Sequence, residues 1–237
     1  MGWINIRHLG ANGDGVTDDA PAIQSAIDLA AAHGGGTIFI PAVDVLGGEA
    51  YVCASPLTIA HNGINIVGDG YGSRLDIQHA GVGIEAEDAR TKGTYATYTF
   101  CKFENFTIYS NDIATVGLDF SGFAYSIFRD MIFNIKGANV NLRGAGYSGS
   151  SPYYNCFSNI AIIGGGSGAG GIGILLDVGH WGGGSNGTNA CNFTDIRRIA
   201  GIGVGIDIRA GNENFFNNVQ IESAGTAGMR LGYLPDG

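Results

Sequence analysis

Phe103-Glu104-Asn105-Phe106-Thr107-Ile108 is a phrase that the chain repeats. It returns as Phe128-Arg129-Asp130-Met131-Ile132-Phe133, Phe157-Ser158-Asn159-Ile160-Ala161-Ile162, Phe193-Thr194-Asp195-Ile196 and Phe216-Asn217-Asn218-Val219-Gln220-Ile221. The Phe-to-Phe steps are 25, 29, 36 and 23 residues. Self-similarity at such a period points to a solenoid, in which each repeat buries its apolar face only by stacking on its neighbours. Each copy has an inward Phe, one outward residue, Asn or Asp, and then an apolar residue that restarts the alternation after a slip of one position. Alternation reads as strand and the slip as a bend. Asn and Asp tolerate the left-handed backbone that a sharp bend needs. Asn105, Asp130, Asn159, Asp195 and Asn218 are therefore predicted at the bends, stacked into a polar ladder.

A second phrase follows each first one: Gly117-Leu118-Asp119-Phe120, Ala138-Asn139-Val140-Asn141-Leu142, Gly173-Ile174-Leu175-Leu176, Gly205-Ile206-Asp207-Ile208 and Gly228-Met229-Arg230-Leu231. Two or three short strands per turn with no helices between them mean an all-β parallel β-helix, its rungs about 4.8 Å apart. At the amino end, Thr17, Asp18 and Asp19 offer helix caps and Pro21 suits a first turn. Ile23, Ala26, Ile27 and Ala30 recur at helical spacing, and Gly34-Gly35-Gly36 ends the helix. Its apolar face is expected to cover the first rung, which would otherwise present open strand edges.

The 237 residues are expected to form one domain. It divides into a strand, loop and capping helix over residues 1–36, less regular rungs over 37–100 and regular rungs over 101–237. With 42 Gly and 14% charged residues in a mildly apolar chain, the composition suits tight rung turns rather than disorder. A net charge of −9 with only 12 Lys and Arg argues against a nucleic-acid surface. No apolar run is long enough for a membrane span, and Met1-Gly2-Trp3-Ile4-Asn5 lacks the pattern of a secretion signal. Cys53, Cys101, Cys156 and Cys191 match no zinc spacing and read as small buried thiols, with disulfides the other reading. Asp14, Asp18 and Asp19 suit capping and turn formation, with calcium the other reading. The glycine runs lack the Lys-Ser/Thr of a phosphate loop, so no cofactor is expected.

Gly10-Ala11-Asn12-Gly13-Asp14-Gly15-Val16-Thr17-Asp18-Asp19, Ala22-Ile23-Gln24-Ser25-Ala26-Ile27 and Gly34-Gly35-Gly36-Thr37-Ile38-Phe39-Ile40-Pro41 closely resemble the opening of the pectate-lyase-like superfamily. That group includes polygalacturonase- and rhamnogalacturonase-like hydrolases, mannuronan epimerases and phage tailspike depolymerases. The resemblance implies a right-handed, single-stranded parallel β-helix. It does not select the reaction, because one fold carries many chemistries. The chain departs from the family in lacking the Tyr-Gly-x-Asp-Pro-His-Glu signature of the epimerases and the Asn-Thr-Asp, Asp-Asp and Gly-His-Gly set of the polygalacturonases. It also has fewer rungs than a full-length family enzyme. The last copy ends near the terminus, so a short spike, a fragment or a last rung that meets a partner are all open readings.

The outward residues of the second phrase line one face: Asp119, Asn141, Leu175, Asp207 and Arg230, with Asp177 one step beyond Leu175. A small shift in register would set Asp177 beside Asp207, and paired carboxylates at roughly 5 to 9 Å suit glycoside hydrolysis. Solvated strand positions are the plainer reading. The longest insertion holds His180, a proton carrier near neutral pH, and Trp181, an indole suited to stacking on sugar. Another insertion holds Tyr147, Tyr153 and Tyr154, a glycan-stacking patch or a subunit contact. Arg197-Arg198 suit a uronate or a salt bridge, and adjacent strand residues point to opposite faces, so at most one serves a groove.

The expected activity is a tailspike-like protein, virion-borne or extracellular, that binds and depolymerises bacterial polysaccharide by hydrolysis or elimination. A homotrimer follows from the resemblance alone. The rival is a non-catalytic structural or receptor-binding subunit. A secreted plant-cell-wall pectinase is the least favoured, since its acid pair is absent.

Overall fold

The structure, a computed structural model, describes residues 2–86, 97–111, 113–136, 139–145, 152–164, 171–177 and 187–232. Every strand pairing among them is parallel, in an 11-stranded sheet, a seven-stranded sheet and two small two-stranded ones. This is the parallel β-helix expected from the repeats.

The repeated phrase folds as it reads. Strand Ile127–Ile135 pairs with Cys156–Ile163 and sets Phe128 on Phe157 and Met131 on Ile160. The five repeat Phe residues form one column, buried from Phe103 to Phe193 and half-buried at Phe216, with ring centroids 4.9, 4.6, 4.6 and 4.7 Å apart and planes within 8° of parallel. The bend residues Asn105, Asp130, Asn159, Asp195 and Asn218 all take left-handed backbone, φ between 51° and 64°. Their side chains form part of a ladder: Asn159 donates to Asp130, and Asn218 donates to Asp195 at 2.6 Å.

The seven-stranded sheet carries the second phrase in register, Leu118 beside Leu142, Leu142 beside Ile174, Ile174 beside Ile206 and Ile206 beside Met229. Glycine precedes four of these residues, and at Gly117, Gly173 and Gly205 the next rung's backbone leaves no room for a Cβ. A Cβ on Gly173 would lie 2.5 Å from the Gly205 carbonyl oxygen.

Helix Ala20–Ala32 buries Ala20, Ile23, Ala26, Ile27 and Ala30, the residues at helical spacing. It also covers a strand edge. Gln24 Nε2 donates to the Thr58 carbonyl at 3.0 Å and Gln24 Oε1 accepts from Thr58 N at 2.9 Å. One side-chain amide thus completes the end strand Leu57–Ile59 as a neighbouring peptide would.

The acidic loop before the helix is held by its own backbone. Asp14 accepts from Val16 N and Thr17 N, Asp18 from Ala20 N and Ala54 N, and Asp19 from Asn12 N and Gly13 N. All four cysteines are free; Cys53, Cys101 and Cys191 are buried, but Cys156 is exposed. It directly precedes inward Phe157 on a strand, and alternation turns it outward. Burial pushes the Cys191 thiol up to about 12.

The left-handed bend can be tested by substitution. Asn159→Val should destabilise the fold by about 1–2 kcal/mol, the cost of a left-handed L-residue without a local polar partner, and by more than Asn159→Gly does in urea unfolding. Equal losses would show that the side-chain bond to Asp130, not backbone shape, selects Asn.

Candidate functional site

A second left-handed corner lies three residues before each repeat Phe. Phe100, Tyr125, Tyr154, Ala190 and Glu213 have φ of 59°, 50°, 55°, 49° and 56°. Adjacent pairings place them on successive rungs: Phe123 beside Tyr98, Tyr153 beside Asn189, and Asn189 beside Asn212. On the preceding rung Gly63 (φ 67°) donates to the Thr99 carbonyl, so glycine begins this corner and aromatics replace it.

Phe100, Tyr125 and Tyr154 are 67%, 45% and 55% exposed. Their rings stack along the solenoid axis, Phe100 to Tyr125 at 5.8 Å and 24°, Tyr125 to Tyr154 at 5.2 Å and 20°. Tyr153 stands edge-on to both tyrosines, at 5.4 and 5.7 Å. A left-handed L-residue costs about 1–2 kcal/mol, and an aromatic pair returns about 0.5–1.5 kcal/mol. Stacking therefore only offsets the strain, and glycine would serve the fold as well. Exposed rings held in strained backbone are the feature of this corner that the fold does not explain.

On the seven-stranded sheet the ladder reads Glu85, Asp119, Arg143, Leu175, Asp207, Arg230. Arg143 holds the place expected for Asn141. Asn141 instead turns inward, accepting from Ile135 N and donating to the Ile172 carbonyl. Nor are these acids solvated strand positions. Asp119 is buried, accepting from Arg143 Nε at 2.9 Å and from Ser121 N at 2.9 Å. Asp207, 1% exposed, accepts from Arg230 Nε at 2.9 Å and from Arg209 Nε at 3.0 Å.

The register shift that would pair Asp177 with Asp207 does not occur. Leu175 faces Asp207, and Asp177 meets Arg209 Nη1 at 3.5 Å, so an arginine lies between the two carboxylates. A cavity of about 240 Å³ opens beside Asp207, Arg209, Arg230 and Gly232. Burial by itself raises the Asp207 carboxyl, but the Arg230 hydrogen bond and the charges of Arg209 and Arg230 outweigh it, holding its pKa below the ordinary value. Asp207 is an ionised anchor that orients two guanidinium groups, and Arg230 is the more exposed of them.

Arg197 and Arg198 are both exposed, where opposite faces were expected. A bulge explains this: Ile160 pairs with Ile196 but Ala161 with Arg198, leaving Arg197 as the extra residue. Arg198 meets Glu222 at 3.4 Å. His180, Trp181 and Tyr147 lie outside the described residues. A further groove of about 320 Å³ follows the Asn bend past Tyr71, Asn105, Asp130 and Asn159, whose amides are taken up by Gly68 O and Asp130.

The family can be assigned from the sequence as a whole. A sequence model of the family described as rhamnogalacturonase A/epimerase, pectate lyase-like matches residues 3–230. The chain belongs to this family. Similar proteins within reach of it include a mannuronan C5-epimerase of Azotobacter vinelandii, 51% identical over 73 residues, 30% of this chain and 7% of that protein. The tail spike protein of Shigella phage Sf6 is 45% identical over 73 residues, 30% of this chain and 11% of that protein. The matched stretch is thus a small part of these longer relatives. Among solved structures, the tailspike protein of E. coli bacteriophage HK620 has a TM-score of 0.53 at 14% identity, over 92% of this chain and 44% of that one. At that identity the likeness is one of fold.

Phe100, Tyr125, Arg143, Arg209 and Glu213 are absent from the residues singled out by sequence. The constant offset of three before the repeat Phe would have found the corner residues. Arg209 had no such signal, because it follows a strand by one residue and reaches back across a rung.

The ion-pair assignment carries a pH test. Because the folded pKa of Asp207 is depressed, its contribution is fully present above the unfolded carboxylate value and is lost as pH falls through the folded one. Asp207→Asn should lower stability at neutral pH by about 1–3 kcal/mol. In urea titrations the wild-type and variant curves should converge only below the ordinary value of 3.8. Convergence at higher pH would mean that the arginines do not hold the carboxylate.

Proposed function

We propose that this chain binds and depolymerises a bacterial surface polysaccharide as a tailspike-like module of a virion or extracellular assembly. The observation that carries the reading is the exposed column of Phe100, Tyr125 and Tyr154, buttressed by Tyr153, since pyranose rings pack on aromatic faces with their apolar C–H edges. Family membership supports it, as do the names of the relatives, polysaccharide epimerases and a tail spike protein. Arg230 and Arg209 border the cavity at Asp207, and Arg209 is four residues before Glu213, at most roughly 14 Å along the chain. They are proposed to bind polar sugar substituents, with Arg197 on the outer face available to an acidic one.

For a depolymerising step Asp177 is the proposed proton-transfer group. Its side chain is 23% exposed, whereas Asp207 and Asp119 are buried against arginines and act as positioning residues. That same locking of two carboxylates favours a second reading, a non-catalytic receptor-binding subunit. His180 and Trp181 are proposed contributors from the adjoining insertion. A homotrimer is the proposed assembly.

Two measurements test this. Tyr154→Ala should weaken retention on the polysaccharide that the protein recognises by at least about tenfold, the 1–3 kcal/mol scale of a lost ring stack. Asp177→Asn should leave retention intact and slow release of reducing ends or unsaturated products about a hundredfold. Retention without any product in the wild type selects the receptor-binding reading. Light scattering should return three times the 24.5 kDa chain mass; a monomer would remove the trimer from the proposal.

A further inference from the structure

Among the described residues, no further ring follows Tyr154 at the carboxyl end of the aromatic column. Within the stack each ring covers its neighbour, so flat faces are available only at the two ends. Beyond Tyr154 the next residue of the corner is Ala190, and the one after is Glu213. The three-ring column ends at Tyr154, and two rungs beyond it a carboxylate, Glu213, stands at the same corner.

We infer that this gap over Ala190 is a subsite for one uncharged pyranose ring of a polysaccharide. The inference rests on the polysaccharide reading above and adds the class of sugar. Two rungs separate Tyr154 from Glu213, roughly 10 Å. A ring stacked on Tyr154 at about 4 Å leaves its far hydroxyls within reach of the Glu213 side chain, which accepts their hydrogen bonds.

Local charge selects a neutral sugar. Glu213 is exposed and meets no cation among the described residues. The outward strand positions beyond this corner are Asn192 and Phe215, the latter 62% exposed, and neither supplies positive charge. Lys102, on the same outward ladder through Ile127 and Cys156, is three rungs from Asn192. That is roughly 14 Å, beyond the screening length of about 8 Å at physiological salt. The cation nearest along the chain, Arg209, four residues before Glu213, is already engaged by Asp177 and Asp207, so a uronate carboxylate in the gap would face Glu213 unfavourably, whereas a neutral ring would meet a flat apolar floor and a strong acceptor.

The test uses an array of purified bacterial surface polysaccharides, neutral and uronate-containing, probed with the wild type, Ala190→Phe and Glu213→Lys. Phe at this corner repeats what Phe100 already does one side of Tyr125, so Ala190→Phe should fold with an unchanged thermal midpoint. By filling the gap it should reduce retention on neutral glycans at least tenfold. Glu213→Lys should raise retention on uronate glycans at least tenfold over the wild type. Full retention of neutral glycans by Ala190→Phe, with the wild type binding them, overturns the subsite while leaving the polysaccharide reading standing. Wild-type preference for uronates overturns the claim of an uncharged sugar. A wild type that retains no glycan overturns the polysaccharide reading and the subsite with it. Should Ala190→Phe lower the midpoint, Glu213→Lys decides alone, and no gain on uronates overturns the inference.

Discussion

In-register stacking of parallel strands, about 4.8 Å apart, is the constraint from which the other features follow. It sets each residue directly over its counterpart one rung away, so a side chain is judged by what repeats above and below it. Phe over Phe gives a buried column with planes nearly parallel. Glycine over glycine allows the seven-stranded sheet to turn its corner, where a Cβ on Gly205 would lie 2.3 Å from the Gly228 carbonyl oxygen. Asn and Asp over one another hold the left-handed bends and exchange side-chain bonds.

The same spacing penalises like charge over like charge. On the outer ladder of the seven-stranded sheet, arginine therefore follows aspartate: Arg143 beside Asp119 and Arg230 beside Asp207. Each aspartate is buried and satisfied by its arginine. Two carboxylates do stand on adjacent rungs at Glu85 and Asp119, where Arg143 pairs with Asp119 from the next rung along; at the other end of the ladder an arginine lies between the carboxylates. Arg209 is that cation between Asp177 and Asp207. The geometry separates an ionised anchor, Asp207, from a more accessible carboxylate, Asp177.

The outer aromatic column shows the reverse balance. Its residues occupy a corner where glycine would be free of strain, and their stacking only offsets the cost. Such a column is informative about function because the fold does not require it. Its last ring, Tyr154, is followed at the same corner by Ala190 rather than by another aromatic.

Much of this was legible in the chain itself. The repeat Phe, the left-handed Asn and Asp, and the capping helix were all readable because each depends on local geometry plus a neighbour of the same kind. Sequence reasoning lost its hold where one residue decides a register. Asn141 took an inward place and yielded the ladder to Arg143. A single bulged residue, Arg197, put two adjacent arginines on one side. The supposed Asp177 and Asp207 pair depended on a slip that the hydrogen-bonded ladder does not make. By itself the sequence determined the β-helix, its bends and its buried columns, because periodicity is a property of the chain. Only the tertiary structure decided which arginine meets which carboxylate and which aromatics share a face, because the contacts between rungs join residues 23 to 32 positions apart, across a spacing set by backbone hydrogen bonds.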